Sequence, residues 1–180
     1  MITAPMRFHH VGIGTVSFQE AIETYRALGY RLVLSTEDLH LDVRVAFLYE
    51  SASPWIEIVS PLGPHGPLES FIARKLLPSP YHTCYATDHI ETSRDQLRDL
   101  GFLPLGEPRP AVAFAGARIA YHYHPALGLL ELVENPPGWP LTEIPTDQSD
   151  TKITLAGHQS RTTEHAIPRR IPAMMANAHM

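Results

Sequence analysis

Apolar and polar positions along this chain follow one succession of periods, and they follow it twice. From residue 7 to 14 a short apolar run reads as a strand. Phe18, Ala21, Ile22, Tyr25 and Leu28 then fall at helical spacing, with Ser17 before them as a candidate N-cap. Gly29 stands where a C-cap glycine belongs. Three short runs of strand character follow: "YRLVLS", "VRVAFLY" and "WIEIVS". The second pass opens with a strand at 81–87. Ile90, Leu97 and Leu100 mark its helix, with Asp88 or His89 near the N-cap and Gly101 at the C-cap. It continues through "FLPLG", "ARIAYHY" and "LLELVE". Between the passes, "GPLESFIARKLL" (66–77) predicts a connecting helix ended by "PSP".

The two passes match residue by residue, and such self-similarity decides the fold before any local reading does. At an offset of 72, His10 meets His82, Thr15 meets Thr87, Arg26 meets Arg98, and Leu28-Gly29 meets Leu100-Gly101. Further along, "RVAFLYESASPWIEIV" (44–59) matches "RIAYHYHPALGLLELV" (118–133) at an offset of 74. A two-residue loop difference accounts for the change. The expected architecture is α+β: two βαβββ modules related by a pseudo-twofold, forming a cupped mixed sheet. Module one spans about 7–62 and module two about 80–135 within a single domain, 1–135. The remaining segment, 136–180, is proline-rich and lacks a strong period. It reads as an extension draped over the body or over a partner subunit, disordered at its distal end. Its His158, His165 and His179 read as solvated side chains.

Composition narrows the function classes. The 180 residues are 44% hydrophobic and carry a formal net charge of -5. The first figure is ordinary for a globular core. The second gives no electrostatic reason to expect nucleic acid or an anionic membrane. The single cysteine, Cys84, permits no internal disulfide and fits a reducing compartment. No run approaches the roughly 18 apolar residues of a membrane span, and the first residues lack the pattern of a signal peptide. A cytoplasmic protein is expected.

The chemistry-bearing residues come out of the repeat. Glu57 and Glu131 each sit inside an apolar run, so strand alternation points each opposite its Ile or Leu neighbours. Either alone reads as a solvent-facing acid. Together with His10 and His82 they occupy equivalent places in the two modules, and a pseudo-twofold would bring all four together. Two imidazoles and two carboxylates suit a divalent first-row metal ion such as Co, Mn, Ni, Zn or Fe. The set lacks the thiolates of a closed structural zinc site. Four ligands to a six-coordinate ion leave two positions for water or substrate. His9, next in sequence to His10, is expected on the opposite face. Cys84 reads as a small buried residue on the His82 face.

This grammar resembles the vicinal oxygen chelate superfamily, whose paired βαβββ modules surround a metal. Within it the chain is most similar to the methylmalonyl-CoA epimerases. The matching pieces are "FHHVGIG", "VRVAFL", "IEIVSPLGPHGPLESFI", "YHTCYATDHIE", "GEPRP", "GARIAYHYHP" and "GLLELVE", over about 7–134. The resemblance implies metal ligands His10, Glu57, His82 and Glu131, with Gln at the Glu57 position in some epimerases. It implies proton abstraction alpha to a thioester, with Glu131 and Glu57 as the catalytic pair, an acyl-CoA thioester as substrate, and a homodimer. Some epimerases use a further Glu, where this chain has Arg44 or Val45. Tyr49, Glu50 and His122 are the candidate substitutes.

Arg44 and Arg118 read either as ion-pair partners or as contacts for a substrate anion. Arg74, Lys75 and Arg109 are candidates for a CoA phosphate, or plain solvated surface. A glyoxalase I-type lyase would use the same metal and glutamates. Oxygen chemistry at a two-His, one-carboxylate iron is disfavoured by the fourth ligand. A drug-binding or biosynthetic relative is the remaining alternative.

Overall fold

In the computed structural model the described residues are 4–63, 66–74 and 76–135. The segment 136–180, with its three histidines, and Lys75 lie outside them. Module one runs β1 (Met6–Gly14), α1 (Phe18–Ala27), β2 (Arg31–Asp38), β3 (Val43–Tyr49) and β4 (Trp55–Pro61). After α2 (Glu69–Ala73), module two runs β5 (Ser79–Thr87), α3 (Ile90–Asp99), β6 (Leu103–Pro104), β7 (Arg109–Pro110), β8 (Arg118–His124) and β9 (Gly128–Glu134). A 3-10 turn, Val112–Phe114, lies between β7 and β8.

Among the described residues nine strands form one mixed sheet in the order β2-β3-β4-β1-β5-β9-β8-β6, with β7 also paired to β8. The order reads outward from the middle as the same sequence of elements in each direction. The central pair, β1 and β5, is antiparallel, as a twofold between them requires. Each runs parallel to the last strand of its own module. His10 pairs with Cys84, Val11 with Thr83 and Gly12 with His82. Val11 and Thr83 are themselves equivalent in the repeat, so the pseudo-twofold passes through that pair.

Alternation sorts the side chains into two faces. Val11, Ile13, Ile56 and Ile58 pack under α1, and Leu130, Leu132 and Ala120 under α3. The opposite face is shared by both modules. Val43, Val45, Phe47 and Val59 from the first meet Cys84, Ala86, Ile119 and Val133 from the second, and Phe114 of the 3-10 turn packs among them. The site lies on this shared face.

Helices α1 and α3 end in the same way. Gly29 and Gly101 have φ of +98° and +89°. Behind them the Tyr30 amide donates to the Tyr25 carbonyl, and the Phe102 amide to that of Leu97. This is the six-to-one closure of a Schellman motif, with the accompanying apolar contact between Tyr25 and Tyr30, rings 5.3 Å apart. Ser17 and His89 occupy the N-cap positions without a side-chain cap hydrogen bond. The Ser17 amide instead donates to the Thr15 hydroxyl.

Two elements are shorter than the pattern predicts. The connecting helix covers five residues, Glu69–Ala73. "FLPLG" pairs only at Leu103 and Pro104, and β7 adds only Arg109 and Pro110. Prolines 104, 108 and 110 remove the amides a continuous strand would need, which confines this chain segment to the sheet edge.

Candidate metal centre

Residues of four adjacent strands, β4, β1, β5 and β9, converge on one buried point. His10 is 0% exposed, Glu131 1%, His82 4% and Glu57 5%. The Nε2 atoms of His10 and His82 are 3.0 Å apart. His10 Nε2 lies 3.3 Å from Glu57 Oε2 and 3.5 Å from Glu131 Oε2. For His82 Nε2 the corresponding distances are 3.3 and 3.2 Å. With bonds of about 2.1 Å to a common ion, donor atoms at right angles sit about 3.0 Å apart, and at the tetrahedral angle about 3.4 Å. The observed separations fall in and around that interval.

The cluster's polar atoms are poorly satisfied by one another. Glu131 Oε2 is buried without a properly aligned hydrogen bond, despite its closeness to both rings. Two ring nitrogens face each other at hydrogen-bond distance, so only one of them can carry a proton there. Burial alone would raise the pKa of Glu57, yet hydrogen bonds and charge from His10 and His82 outweigh it and hold it at about 2. Burial would lower that of His82, yet Glu131 and Glu57 outweigh it and hold it at about 9. His82 thus holds a proton beside an ionised Glu57, and a divalent cation would replace that proton. The donor set and its spacing fit such an ion.

Small residues make room for the rings. Gly12 faces His82 across the central pair, and a Cβ on Gly12 would fall 2.2 Å from the imidazole Cε1. Its repeat counterpart, Cys84, faces His10 and is fully buried. Burial first, then the two glutamates, push the Cys84 thiol well up, so it stays protonated.

His9 departs from the expected orientation. β1 and β5 pair as Phe8–Tyr85 and then His10–Cys84, so His9 is the extra residue of a β-bulge. The bulge turns His9 toward its neighbour: His9 Nδ1 is 2.8 Å from His10 Nδ1. Burial, then His10, lower the pKa of His9 to about 3, so it is neutral at ordinary pH.

A cleft beside the cluster is lined by Asp38, Glu57, Tyr121 and Glu131 together with apolar residues such as Val45 and Phe114. Its open volume of about 20 Å³ holds one water-sized species. Asp38 and Tyr121 were not among the sequence candidates. Asp38 accepts the amides of His40, Leu41 and Val112, which ties β2 to the 3-10 turn. Tyr121 pairs with Glu131 across β8 and β9; burial first, then Glu131, raise its pKa.

The other sequence candidates lie elsewhere. Tyr49 packs on Trp55. Glu50 is a turn residue that accepts the Ala52 amide. His122 is buried on the α3 face, away from the cleft. Arg44 pairs with Glu37, and Arg118 with Glu134 and Glu91, both on the partly exposed rim, as ion-pair partners. Arg74 and Arg109 are exposed.

Comparison with known proteins gives a consistent result. The profile of the glyoxalase/bleomycin resistance protein/dioxygenase superfamily matches residues 9–121. An ethylmalonyl-CoA/methylmalonyl-CoA epimerase of Cereibacter sphaeroides is 28% identical over 120 residues, covering 66% of this chain and 88% of that protein. Methylmalonyl-CoA epimerase from Mycobacterium tuberculosis superposes with a TM-score of 0.62 at 27% identity, over 71% of this chain and 87% of that one. A variant of the Streptomyces coelicolor methylmalonyl-CoA epimerase, in complex with 2-nitronate-propionyl-CoA, gives 0.60 at 25%, over 71% and 93%.

Proposed function

This chain belongs to the glyoxalase/bleomycin resistance protein/dioxygenase superfamily, and from that membership we propose that it is a metal-dependent epimerase. It moves a proton on the carbon alpha to a thioester carbonyl, with a methylmalonyl-CoA-like acyl-CoA as substrate. The observation that carries the reading is the convergence of His10, Glu57, His82 and Glu131, all buried, with donor atoms within 4.8 Å of one another. Likeness to three epimerases, two of them structurally characterised, supports the reaction class.

His10, Glu57, His82 and Glu131 would hold the ion. A divalent cation held there would supply Lewis acidity toward a thioester carbonyl, easing removal of the α-proton. Inversion needs acid/base groups on both faces of that carbon. Glu131 is the first candidate base, because it faces the cleft beside the Tyr121 phenol. Glu57 stands at the equivalent position of the other module, where its cross-strand neighbour is Phe47.

The test is deuterium incorporation at the α-carbon of methylmalonyl-CoA in D₂O by metal-loaded protein. Exchange should be seen with wild type and fall by about 10²-fold or more in Glu131→Gln. Wild-type protein that carries its metal yet exchanges nothing removes this substrate. A second reading, a glyoxalase I-type lyase, is favoured by one observation. Val45, at the place where some epimerases put a further Glu, lines the cleft as an apolar residue. Turnover of a glutathione hemithioacetal in place of methylmalonyl-CoA would select it.

A further inference from the structure

Two bulges flank the pseudo-twofold symmetrically. One leaves out His9 on β1, between the pairs Phe8–Tyr85 and His10–Cys84. The other leaves out Tyr81 on β5, between Gly12–His82 and Ile13–Pro80. His9 and Tyr81 are equivalent in the repeat, and each precedes one of the converging histidines. A bulge re-aims its extra residue, and here each one delivers a ring against the imidazole that follows. The His9 and His10 centroids are 5.0 Å apart and those of Tyr81 and His82 also 5.0 Å.

The two copies then differ in chemistry. Tyr81 sends its hydroxyl away, toward the Pro67 carbonyl at 3.4 Å, and His82 Nδ1 is buried with no hydrogen bond among the described residues. His82 is held instead by packing, its ring lying over Gly12. His9 places a ring nitrogen 2.8 Å from His10 Nδ1. The other nitrogen of His10, Nε2, is the one that enters the four-residue cluster. An imidazole that offers Nε2 to a cation must keep its proton on Nδ1, and that N–H needs an acceptor when buried.

We propose that His9 is the positioning residue of this centre: its Nδ1 accepts the Nδ1–H of His10, fixing the tautomer and ring angle that aim Nε2 at the cluster. The inference rests on the reading of His10 as a metal ligand. It makes the two histidines unequal, one held by a hydrogen bond and one by packing.

The variants that test it are His9→Leu, which removes the acceptor, and His9→Asn, which restores one. Cobalt(II) binding to the full chain is followed by its ligand-field absorbance, and histidine tautomers of the metal-free protein by long-range proton–nitrogen NMR correlations. Leu at position 9 should weaken cobalt binding by about 10–100-fold and shift the spectrum, while Asn restores both. His10 should carry its proton on Nδ1 in wild type and Asn protein, and lose that preference in the Leu protein. Equal affinity and an unchanged spectrum in His9→Leu would overturn the proposal and leave the metal reading intact. A wild type that binds no cobalt, but whose His10 tautomer still depends on residue 9, would retain the hydrogen bond and remove the metal reading. The donor atoms of His9, His10 and Cys84 also lie within 4.8 Å of one another. A thiolate-to-cobalt band lost in Cys84→Ser would place a cation on His10 Nδ1, and would likewise overturn the proposal.

Discussion

His10 and His82 reach the same point because the residue facing each across the central strand pair is small. Gly12 leaves the space that the His82 ring fills, and no side chain at position 12 is compatible with that ring where it stands. Gly12→Ala should therefore displace the imidazole. The expected result is a loss of about 1–3 kcal/mol of stability in chemical denaturation, with a loss of bound metal larger than in Cys84→Ser. Much at this scale was legible. The repeat picked out all four converging residues, since equivalent positions in two modules point to a shared place. His9 was not legible. Strict alternation sets it on the far face, and an inserted bulge leaves no mark in the hydrophobic pattern. Asp38 and Tyr121 were missed for another reason: they reach the cleft from the end of β2 and from β8, which only the folded sheet brings beside Glu57 and Glu131.

Whole elements show how far the two modules have diverged. Helix ends are shared, and Gly29→Ala should cost about 1 kcal/mol, read as a lower melting temperature, because φ of +98° suits no side chain. The glycine and the apolar spacing made these caps visible in sequence. At β8 the modules part. His122 stands where the first module has Leu48, a fully buried core residue. Neither ring nitrogen of His122 makes a well-aligned hydrogen bond among the described residues. Burial, then Arg94 and Arg98 above it, lower its pKa to about 4.

A histidine whose folded pKa lies below its ordinary value binds its proton more readily in the unfolded chain. Its penalty is thus absent above about pH 6.5 and grows as pH falls toward 4. His122→Leu, which copies the first module, should raise stability by about 1–2 kcal/mol at neutral pH. Its advantage over wild type should widen between pH 6.5 and 4 in parallel melting curves; a constant difference would contradict a titrating His122. The edge at β6 and β7 was the least legible element. "FLPLG" has strand periodicity, but its prolines and the turn at Gly106 break the pairing after two residues.

For the molecule as a whole, the duplication creates a site that neither half contains. One module supplies His10 and Glu57, the other His82 and Glu131, and the axis through Val11 and Thr83 sets them face to face. The paired-module mixed sheet followed from the sequence, because the repeat relates one βαβββ module to the other; the order of its strands came only with the structure. The chemistry followed less fully, since a reaction depends on what lines the cleft, and Val45 there is apolar where a further acid was sought.

Metal content by elemental analysis of the purified chain, beside His10→Ala and Glu131→Ala, tests the shared centre most directly. About one divalent ion per chain in wild type is expected, falling to background in both variants while their far-UV circular dichroism is retained. Wild type without metal after exposure to Co, Mn, Ni, Zn and Fe, or variants that keep the ion in full, would contradict a centre built by these four residues.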